Sequence, residues 1–484
     1  MLGSRGTRAL LAAAGVMLML SAGLAEPARA APGAPQAGSG PALYGFGSNQ
    51  SGELGNGTTA ASLSPVAVGG LPGAVRQIST GLRASAAVMS DGSLWTWGND
   101  YYGQLGYSSA TVIVSTPRQV PGLSAVSQVA LSDEGNGYAV GSGGSLWAWG
   151  DNSYGQLGNG TTTASSSPIL VPGLTGVTQV AAGGYYTLAL RSDGSVWAWG
   201  LNSGGELGDG TTTSQLRPEQ VPGLTGITQI VSGGGSSFAV RSDGTLFSWG
   251  ENGTGALGNG TAGGFSDRPT PVAGLTGVTQ VASNSWATLA VAGTAMRVWA
   301  WGDNECGELG DGTAVSKLSP ELIGLVGVTQ IVTGSTLFSE LSSAAVRYDG
   351  TLWTWGCNSY GELGHGAVTG YVASPTMVTS LARVSQFAFG DDYSGLFLRG
   401  AYGLAVGSLP AIVPNLSGDT TARASQALQA AGLVLGTVAT AIDYTCSNVG
   451  AVMSQNPAAG TAVNSGSAVS VTIGKAPPPP HQCL

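Results

Sequence analysis

The sequence predicts an all-β protein whose main part is a seven-bladed β-propeller of about 51-residue repeats. A Trp-Gly phrase, written Phe-Gly in the first copy, recurs at spacings of 50 to 54 residues, and its glycines are Gly47, Gly98, Gly150, Gly200, Gly250, Gly302 and Gly356. A degenerate copy without tryptophan, "GLAVG", ends at Gly407. Charged residues make up 9% of the chain and 81 of its 484 residues are glycine. This composition is typical of a turn-rich β protein with enough apolar residues for a core.

Each repeat contains four short predicted strands. In one unit they lie around 218–222 and at 226–233, 236–242 and 245–250. Asp243-Gly244 joins the last two, and this dipeptide favours a two-residue hairpin turn. Repeated antiparallel strands without a helical period predict propeller blades. We expect the opening "ALYGFG" (42–47) to supply the outer strand of the last blade, which closes the ring and removes exposed edges.

Eleven of the twelve tryptophans lie in Trp-x-Trp slots within these repeats. A spacing of two places both rings on one face of a strand, where they can pack against the neighbouring blade. An aromatic row for sugar binding is the alternative, and packing is favoured because every blade has the feature. The structural residues predicted from these slots are Trp97, Trp149, Trp199, Trp249, Trp301 and Trp355.

The phrases "DGSLWTWGNDYYGQLG" (91–106) and "DGSVWAWGLNSGGELGDGT" (193–211) resemble the regulator of chromosome condensation repeat family. The resemblance covers residues 42–407 and implies a seven-bladed propeller. The family commonly has a His-Thr pair where this chain has Tyr186-Thr187, and no copy here has the histidine. The family's founding members promote nucleotide exchange on a small GTPase beside chromatin, and related secreted propellers inhibit β-lactamases. The resemblance therefore implies the fold more directly than a function.

A second module follows at residues 411–475. Residues 413–438 predict a short strand and an amphipathic helix that ends at Gly432, and residues 450–474 predict two alternating strands. The phrases "VPNLSG", "QNPAAGTAV" and "GSAVSVTIG" resemble a PASTA domain, which implies association with the cell wall or peptidoglycan. Residues 476–484 form a Pro-rich tail.

The N-terminus predicts export. Residues 1–30 have a basic start, an apolar stretch and an Ala-Arg-Ala cleavage site, so we expect a signal peptide followed by a linker at 31–41. A membrane anchor is the alternative; after cleavage we expect no transmembrane span. The net charge of −9 and the scattered basic residues disfavour nucleic acid as a partner. These features predict a secreted or envelope-associated monomer.

Four cysteines in an exported chain suggest two disulfides among three pairings. We favour Cys306–Cys357 and Cys446–Cys483, since each bridge then stays within one region. A metal site is not expected because no CxxC pair exists.

The sequence predicts neither catalysis nor a cofactor. The histidines of the mature chain are His365, in a turn slot, and His481, in the tail. The glycine phrase "GELGDG" fits neither a dinucleotide-binding nor a P-loop pattern. Adjacent carboxylates such as Asp391 and Asp392 have no facing geometry that would predict a glycosidase.

The turns where the repeats differ predict the recognition site. We expect an aromatic and acidic rim on the same face as the "NxxGxLG" loops, formed by Tyr185, Tyr186, Trp286, Phe338, Asp391, Asp392 and Tyr393. Plain loop variation is the alternative. The favoured function is an exported, non-enzymatic scaffold that binds an extracellular protein or glycan, with the PASTA-like module on peptidoglycan. A secreted inhibitor or effector of an extracellular enzyme, and a guanine nucleotide exchange regulator by family analogy, remain as alternatives.

Overall fold

The computed structural model describes residues 42–334, 341–391 and 401–478. They contain seven four-stranded antiparallel sheets and a small C-terminal α+β module, as the sequence predicts. In six sheets the four strands follow one another along the chain. We number these blades 1 to 6 and call their strands inner, second, third and outer.

The strands of the first three blades follow the chain from inner to outer. Blade 1 consists of Val75–Gly81, Ala84–Met89, Leu94–Asn99 and Ile113–Gln119. Blade 2 consists of Gln128–Leu131, Asn136–Val140, Leu146–Gly150 and Ser165–Leu170, with a 3₁₀ turn at Ser142–Gly144. Blade 3 consists of Val177–Ala182, Tyr186–Arg191, Val196–Gly200 and Gln215–Gln220.

The next three blades have the same order. Blade 4 consists of Ile227–Gly233, Ser236–Arg241, Leu246–Glu251 and Phe265–Pro271. Blade 5 consists of Val278–Ser283, Ala287–Ala292, Arg297–Gly302 and Lys317–Leu322. Blade 6 consists of Val328–Gly334, Ser342–Arg347, Leu352–Asn358 and Gly370–Met377.

The grouping of strands into blades differs from the sequence prediction. The strand predicted near 218–222 is Gln215–Gln220, and it pairs with the preceding Trp-x-Trp strand, with Trp197 opposite Gln220. It is therefore the outer strand of blade 3, whereas the sequence grouping placed it first in the next unit. The long glycine-rich loop at 201–214 reverses the chain within a blade, and the short connection at 221–226 crosses to the next blade.

Blade 7 closes the ring with strands from both ends of the repeat region. Its strands from inner to outer are Ala382–Asp391, Ala401–Ser408, Ala42–Gly47 and Ser62–Ala67. The opening strand does close the ring, but it is the third strand, and Ser62–Ala67 is the outer one. "GLAVG" consequently lies in a second strand and is not a degenerate Trp-Gly copy. Phe46, completely buried, occupies the position of the second tryptophan.

One glutamine from each inner strand bridges to the next blade, and together these side chains form what we call the glutamine belt. Each side-chain Oε1 accepts a backbone N–H of the following inner strand at 2.7 to 3.2 Å. The members are Gln77, Gln128, Gln179, Gln229, Gln280, Gln330 and Gln386. Gln386 reaches Ile78, so the belt runs through the closing blade into blade 1.

The second tryptophan of each slot ties neighbouring blades together. The structure buries Trp97, Trp149, Trp199, Trp249, Trp301 and Trp355 completely. Each indole N–H donates to a backbone carbonyl in the preceding blade's glycine-rich loop at 2.7 or 2.8 Å. The Trp199 ring lies against Gly158, where φ is +68° and a Cβ would approach Nε1 to 2.7 Å. Only glycine fits this contact.

The C-terminal module has its own core. Its helix Thr421–Ala430 is capped by the Thr420 hydroxyl, ends before Gly432, and buries Ala424 and Leu428. The strands are Ala411–Ile412, Val434–Ile442, Val452–Asn456, Ala462–Val463 and Ala468–Lys475. Val434–Ile442 pairs parallel to Ala468–Lys475 and is mostly exposed, so it lacks the alternation that marks a strand in a sequence. Among the described residues, no helix is long and apolar enough to span a membrane.

Candidate functional site

Two sets of loops meet on one face of the propeller. In each antiparallel sheet the turn between inner and second strands lies at the same edge as the loop between third and outer strands. We call this side the loop face, and the side with the hairpins between second and third strands the hairpin face. The contacts agree with this arrangement, because Thr254 in a blade 4 loop donates to the Trp286 carbonyl in the blade 5 turn at 2.9 Å.

Buried asparagines hold the long loops in a fixed conformation. In blade 2, the Asn152 amide donates to the carbonyls of Thr161 and Thr163 at 3.0 and 2.9 Å, and its Oδ1 accepts from the Leu157 N–H. Asn159 in the "NGT" phrase accepts from the backbone and hydroxyl of Thr161. The repeated phrase therefore builds a rigid platform, and the residues that vary between loops are presented on it.

The most prominent feature on this platform is a group that we call the tyrosine patch. It consists of Tyr101, Tyr102, Glu134, Asp151, Tyr154 and Tyr185, and it spans blades 1 to 3. Three of its rings are exposed: Tyr101 by 72%, Tyr102 by 45% and Tyr154 by 42%. The Tyr101 and Tyr102 centroids lie 4.9 Å apart, edge to face, and those of Tyr154 and Tyr185 lie 4.8 Å apart. The patch thus presents aromatic surface at two adjacent blade junctions.

Carboxylates lie between the two pairs of rings. Burial raises the pKa of Glu134, while the Tyr185 hydroxyl donates a hydrogen bond to its carboxylate and opposes that increase. Burial and the same carboxylate raise the pKa of Tyr185, so its hydroxyl stays a donor. Asp151 is oriented by the Gln156 amide at 2.7 Å and the Ser153 hydroxyl at 2.8 Å. The patch therefore combines rings with fixed negative charge.

The central channel opens beside the patch. The inner strands enclose a cavity of about 280 Å³, and its lining includes Thr80, Asp133, Gly234 and Asn284. Burial is the main cause that raises the pKa of Asp133 to about 7, and the neighbouring Glu134 adds to it. Asp133 thus connects the channel to the patch through an adjacent residue.

The structure separates the residues that the sequence grouped as a rim. Tyr185 belongs to the tyrosine patch, and Trp286 is 36% exposed in the blade 5 turn. Tyr186 is buried, so its placement on the rim is wrong. Its hydroxyl donates to the Ser236 carbonyl at 2.7 Å and accepts from Ser237 at 2.9 Å, which ties blade 3 to blade 4.

The remaining predicted rim residues lie outside the described part of the chain. They are Phe338, Asp392 and Tyr393, together with the side chain of Asp391, which ends its strand. Their membership of the site stays a prediction.

Three patch residues were not among those predicted from the sequence. Tyr101 and Tyr102 lie in "NDYYGQLG", and Tyr154 lies in "DNSYGQLG", where blade 3 has "LNSGGELG". The signal was therefore variation inside the glycine-rich phrase, which the sequence interpretation treated as shared scaffolding.

Other polar groups on this face are structural. His365 Nε2 lies 2.9 Å from the Thr354 hydroxyl, and burial lowers the pKa of this histidine. The described residues contain no group of three or more His, Cys, Asp or Glu side chains arranged to hold a metal ion.

A disulfide joins Cys306 in the blade 5 loop to Cys357 in the blade 6 third strand, with Cα atoms 5.1 Å apart. Cys483 lies outside the described residues, so its pairing with Cys446 stays a prediction.

Comparisons with known proteins agree with this architecture. The model of the RCC1-like domain matches residues 38–339, and that of the regulator of chromosome condensation (RCC1) repeat matches 349–397. The PASTA domain model matches 411–475. The human E3 ubiquitin-protein ligase HERC2 is 36% identical over 152 residues, which is 30% of this chain and 3% of HERC2. The Ultraviolet-B receptor UVR8 of Arabidopsis thaliana is 32% identical over 149 residues, which is 30% of this chain and 34% of UVR8.

Solved structures show the same fold. Prp20p from Saccharomyces cerevisiae superimposes with a TM-score of 0.66 at 21% identity, over 77% of this chain and 92% of that one. Human WBSCR16 gives a TM-score of 0.65 at 23% identity, over 76% of this chain and 99% of that one. Since the family model covers more than half of the chain and the structure has the corresponding seven blades, this protein belongs to the RCC1-like domain family and has a PASTA domain at its C-terminal side.

Proposed function

We propose that this protein is an exported, non-enzymatic binding protein. The loop face of its propeller recognises an extracellular protein or glycan, and its PASTA domain associates with peptidoglycan. The tyrosine patch is the observation that carries the proposal, because exposed tyrosines on a rigid platform supply contact area with little loss of side-chain entropy.

Several features support an extracellular location. Residues 1–30 have the pattern of a secretory signal, and disulfides such as Cys306–Cys357 persist mainly in oxidising compartments. The match to the PASTA domain model also supports an extracellular or envelope location. If the signal stayed uncleaved and acted as a membrane anchor, the propeller and the PASTA domain would still lie on the extracellular side of the membrane.

Catalysis has little support in the described residues. The Thr354 hydroxyl beside His365 is completely buried and donates to the Leu363 carbonyl at 2.8 Å, so no substrate can reach it. Burial and Glu134 raise the pKa of the Tyr185 hydroxyl, which makes it a poor nucleophile. The loop platforms are also consistent with an inhibitor or effector of an extracellular enzyme, since an inhibitor and an effector each need a preformed protein-binding surface.

Prp20p is described by its binding to Gsp1p and histones. A nucleotide exchange role by analogy conflicts with the export signal.

Co-sedimentation with purified peptidoglycan tests the anchoring role. The mature chain is compared with a chain that ends at Ser408, which retains all four strands of blade 7 and thus a closed ring. We expect the mature chain to sediment and the shorter one to stay in solution. If both or neither sediment, the PASTA domain is not the anchor.

Site-specific photo-crosslinking tests the recognition face. A benzoylphenylalanine at position 154 on the loop face is compared with one at position 243 on the hairpin face, using intact envelopes. We expect discrete adducts from position 154 only. Adducts from position 243 alone would place the binding surface on the opposite side of the propeller.

A further inference from the structure

The two faces of the propeller differ in charge. In the described turns and loops of the loop face, Arg83 is the only Lys or Arg, whereas the tyrosine patch region alone contains Asp100, Asp133, Glu134 and Asp151. Further carboxylates on this face are Asp209, Asp303 and Glu305. Cations from the outer strands reach some of these loops, since Lys317 pairs with Asp311 at 3.6 Å and the Arg217 and Arg268 side chains lie beside Gly160 and Gly210. The carboxylates of the tyrosine patch region have no such ion pair among the described residues.

On the hairpin face, three of the carboxylates are compensated by an arginine of the same hairpin. Asp193, Asp243 and Asp349 each form an ion pair with an arginine two residues earlier in the same hairpin, at 3.4, 2.8 and 3.4 Å. The difference between the faces thus comes in part from the arginines at the hairpin ends of blades 3, 4 and 6, whereas Asp91 in the blade 1 hairpin has a methionine two residues earlier. Complementary potential of this kind steers partners and fixes their orientation.

The channel mouth holds an acid without a partner. The Asp133 carboxylate lines the cavity and has no hydrogen-bond donor and no cationic neighbour among the described residues. At about 280 Å³, the cavity lies just under the range of about 300–1,000 Å³ found for small-molecule sites, so it suits one inserted side chain. Burial disfavours the ionised form of this carboxyl, and a cation placed beside it would favour ionisation and bind the resulting charge.

The rings beside the channel suit a cation. Tyrosine faces attract ammonium and guanidinium groups, and the attraction increases when the site excludes water. Tyr185 lies next to Glu134, whose neighbour in the chain is Asp133, and Tyr154 packs against Tyr185. Aromatic surface, fixed carboxylates and an unpartnered acid therefore converge on one opening.

We propose that the loop face binds a protein partner through a lysine or arginine side chain at the tip of a loop, which enters the channel mouth beside Asp133 and the tyrosine patch. This inference rests on the proposed function, because it names the kind of partner that the loop face recognises. A glycan is disfavoured, since a neutral sugar offers no opposite charge to Glu134, Asp151 and the ionised fraction of Asp133.

A pair of cyclic peptides tests the inference directly. Each has seven residues closed by a disulfide, with glycine and serine around a central lysine, and in the second peptide this lysine is Nε-acetylated. Binding to the mature chain is measured by NMR titration at low salt. We expect saturable binding of the lysine peptide and about tenfold weaker binding of the acetylated one.

Variants locate the binding site. We expect Asp133→Asn and Tyr154→Ala each to weaken binding about fivefold or more. The hairpin-face control Asp91→Asn is expected to bind as the unchanged protein does. Thermal unfolding of each variant shows whether the fold is retained, and Asp133→Glu serves as a charge-preserving variant that should retain part of the affinity.

The outcomes distinguish this inference from the proposed function. Equal binding of both peptides, no binding of either, or an effect of Asp91→Asn equal to that of Asp133→Asn would overturn the inference. A chito-oligosaccharide that binds in place of the lysine peptide, and is lost in Tyr154→Ala, would overturn it while leaving the loop face as a recognition surface. Photo-crosslinks confined to the hairpin face would overturn both this inference and the proposed recognition role of the loop face.

Discussion

Glu206 and Glu308 occupy a buried loop position that holds a glutamine in two other blades. Each carboxylate accepts one backbone N–H through Oε2, from Gly204 at 2.8 Å and from Cys306 at 2.9 Å. Gln104 and Gln156 accept the equivalent N–H groups through Oε1 at 2.8 and 2.9 Å. Glutamine therefore makes the same hydrogen bond without a buried charge, and blade 4 even has Ala256 at this position.

We predict that Glu206→Gln and Glu308→Gln stabilise the protein at neutral and alkaline pH. Burial is the main cause that raises the pKa of both carboxyls to about 7, above their value in the unfolded chain. The unfolded state thus ionises first, and the stability of the native protein falls as the pH rises from about 4.5 to about 7. Each amide removes this loss, which is on the order of 3 kcal/mol at pH 8.

Denaturant unfolding at pH 4.5 and pH 8 measures the effect. We expect higher midpoints at pH 8 for both variants and nearly unchanged midpoints at pH 4.5. Glu219→Gln, an exposed change in the outer strand of blade 3, is the matched control and should have little effect at either pH. A gain that is the same at both pH values would assign the stabilisation to something other than ionisation.

The sequence predicts part of the candidate site at the residue scale. Variation among repeats points to the segment 183–186, in which Tyr185 lies in the tyrosine patch and Tyr186 is buried. The second strand begins at Tyr186, and a shift of one residue in a strand exchanges the buried and the outward side. That shift depends on where pairing begins, which a repeat pattern does not specify.

At the scale of the strand, the glutamine belt explains the repeated "VTQ" phrase. The inner strands of neighbouring blades share no sheet, so their facing backbone groups need side-chain partners. Gln179 supplies both an acceptor and a donor, since its side chain accepts from the Ile230 N–H at 2.9 Å and donates to the Ile230 carbonyl at 2.9 Å. The sequence shows the repetition of this glutamine but not the blade that it contacts.

We predict that Gln179→Leu lowers the free energy of unfolding by about 2 kcal/mol, because it leaves two partly buried backbone groups without their partner. Hydrogen exchange provides the specific readout, and the Ile230 amide should lose protection more than amides elsewhere in blade 4. Gln220→Leu, an exposed change in an outer strand, is the control. Unchanged protection of Ile230 would show that the belt does not contribute to stability.

The disulfide acts between two blades in a similar way. Cys306 and Cys357 are separated by 51 residues, and closing a loop of that length restricts the unfolded chain by about 4 kcal/mol in the chain-entropy model. We predict that the double change Cys306→Ala and Cys357→Ala lowers stability by about 2–4 kcal/mol. The check is denaturant unfolding without reductant. An equal midpoint for the double variant and the unchanged protein would contradict it.

Across the whole molecule, the number of blades follows from the sequence but the assignment of strands does not. A run of four strands repeated in a ring has the same sequence pattern whichever strand is counted first. Strand pairing determines which four strands form one blade. The long loop at 201–214 joins two strands of the same blade, and the short connection at 221–226 leads to the next blade. The C-terminal helix was predictable because its cap, its buried positions and its terminal glycine are all local signals.

Ring closure is consequently a joint property of both ends of the repeat region. Blade 7 contains two N-terminal and two C-terminal strands, with Ala42 opposite Gly407 and Tyr44 opposite Ala405. Tyr402 of this blade also donates to the Ala84 carbonyl of blade 1 at 2.8 Å. We predict that a chain beginning at Gly69 exposes the edge of Ala401–Ser408, loses cooperative unfolding and self-associates, because an open strand edge recruits further chains.

Light scattering and thermal unfolding test this prediction, with a chain beginning at Pro41 as the control that keeps both N-terminal strands. A synthetic peptide of residues 42–68, added in trans, should restore a monomer with a cooperative transition, since it carries the two missing strands and Phe46. Recovery should fail with a Phe46→Ala peptide, because Phe46 fills the buried position that tryptophan fills in the other six blades. A truncated chain that remains monomeric and unfolds at the original temperature would mean that blades 1 to 6 hold the arc without closure.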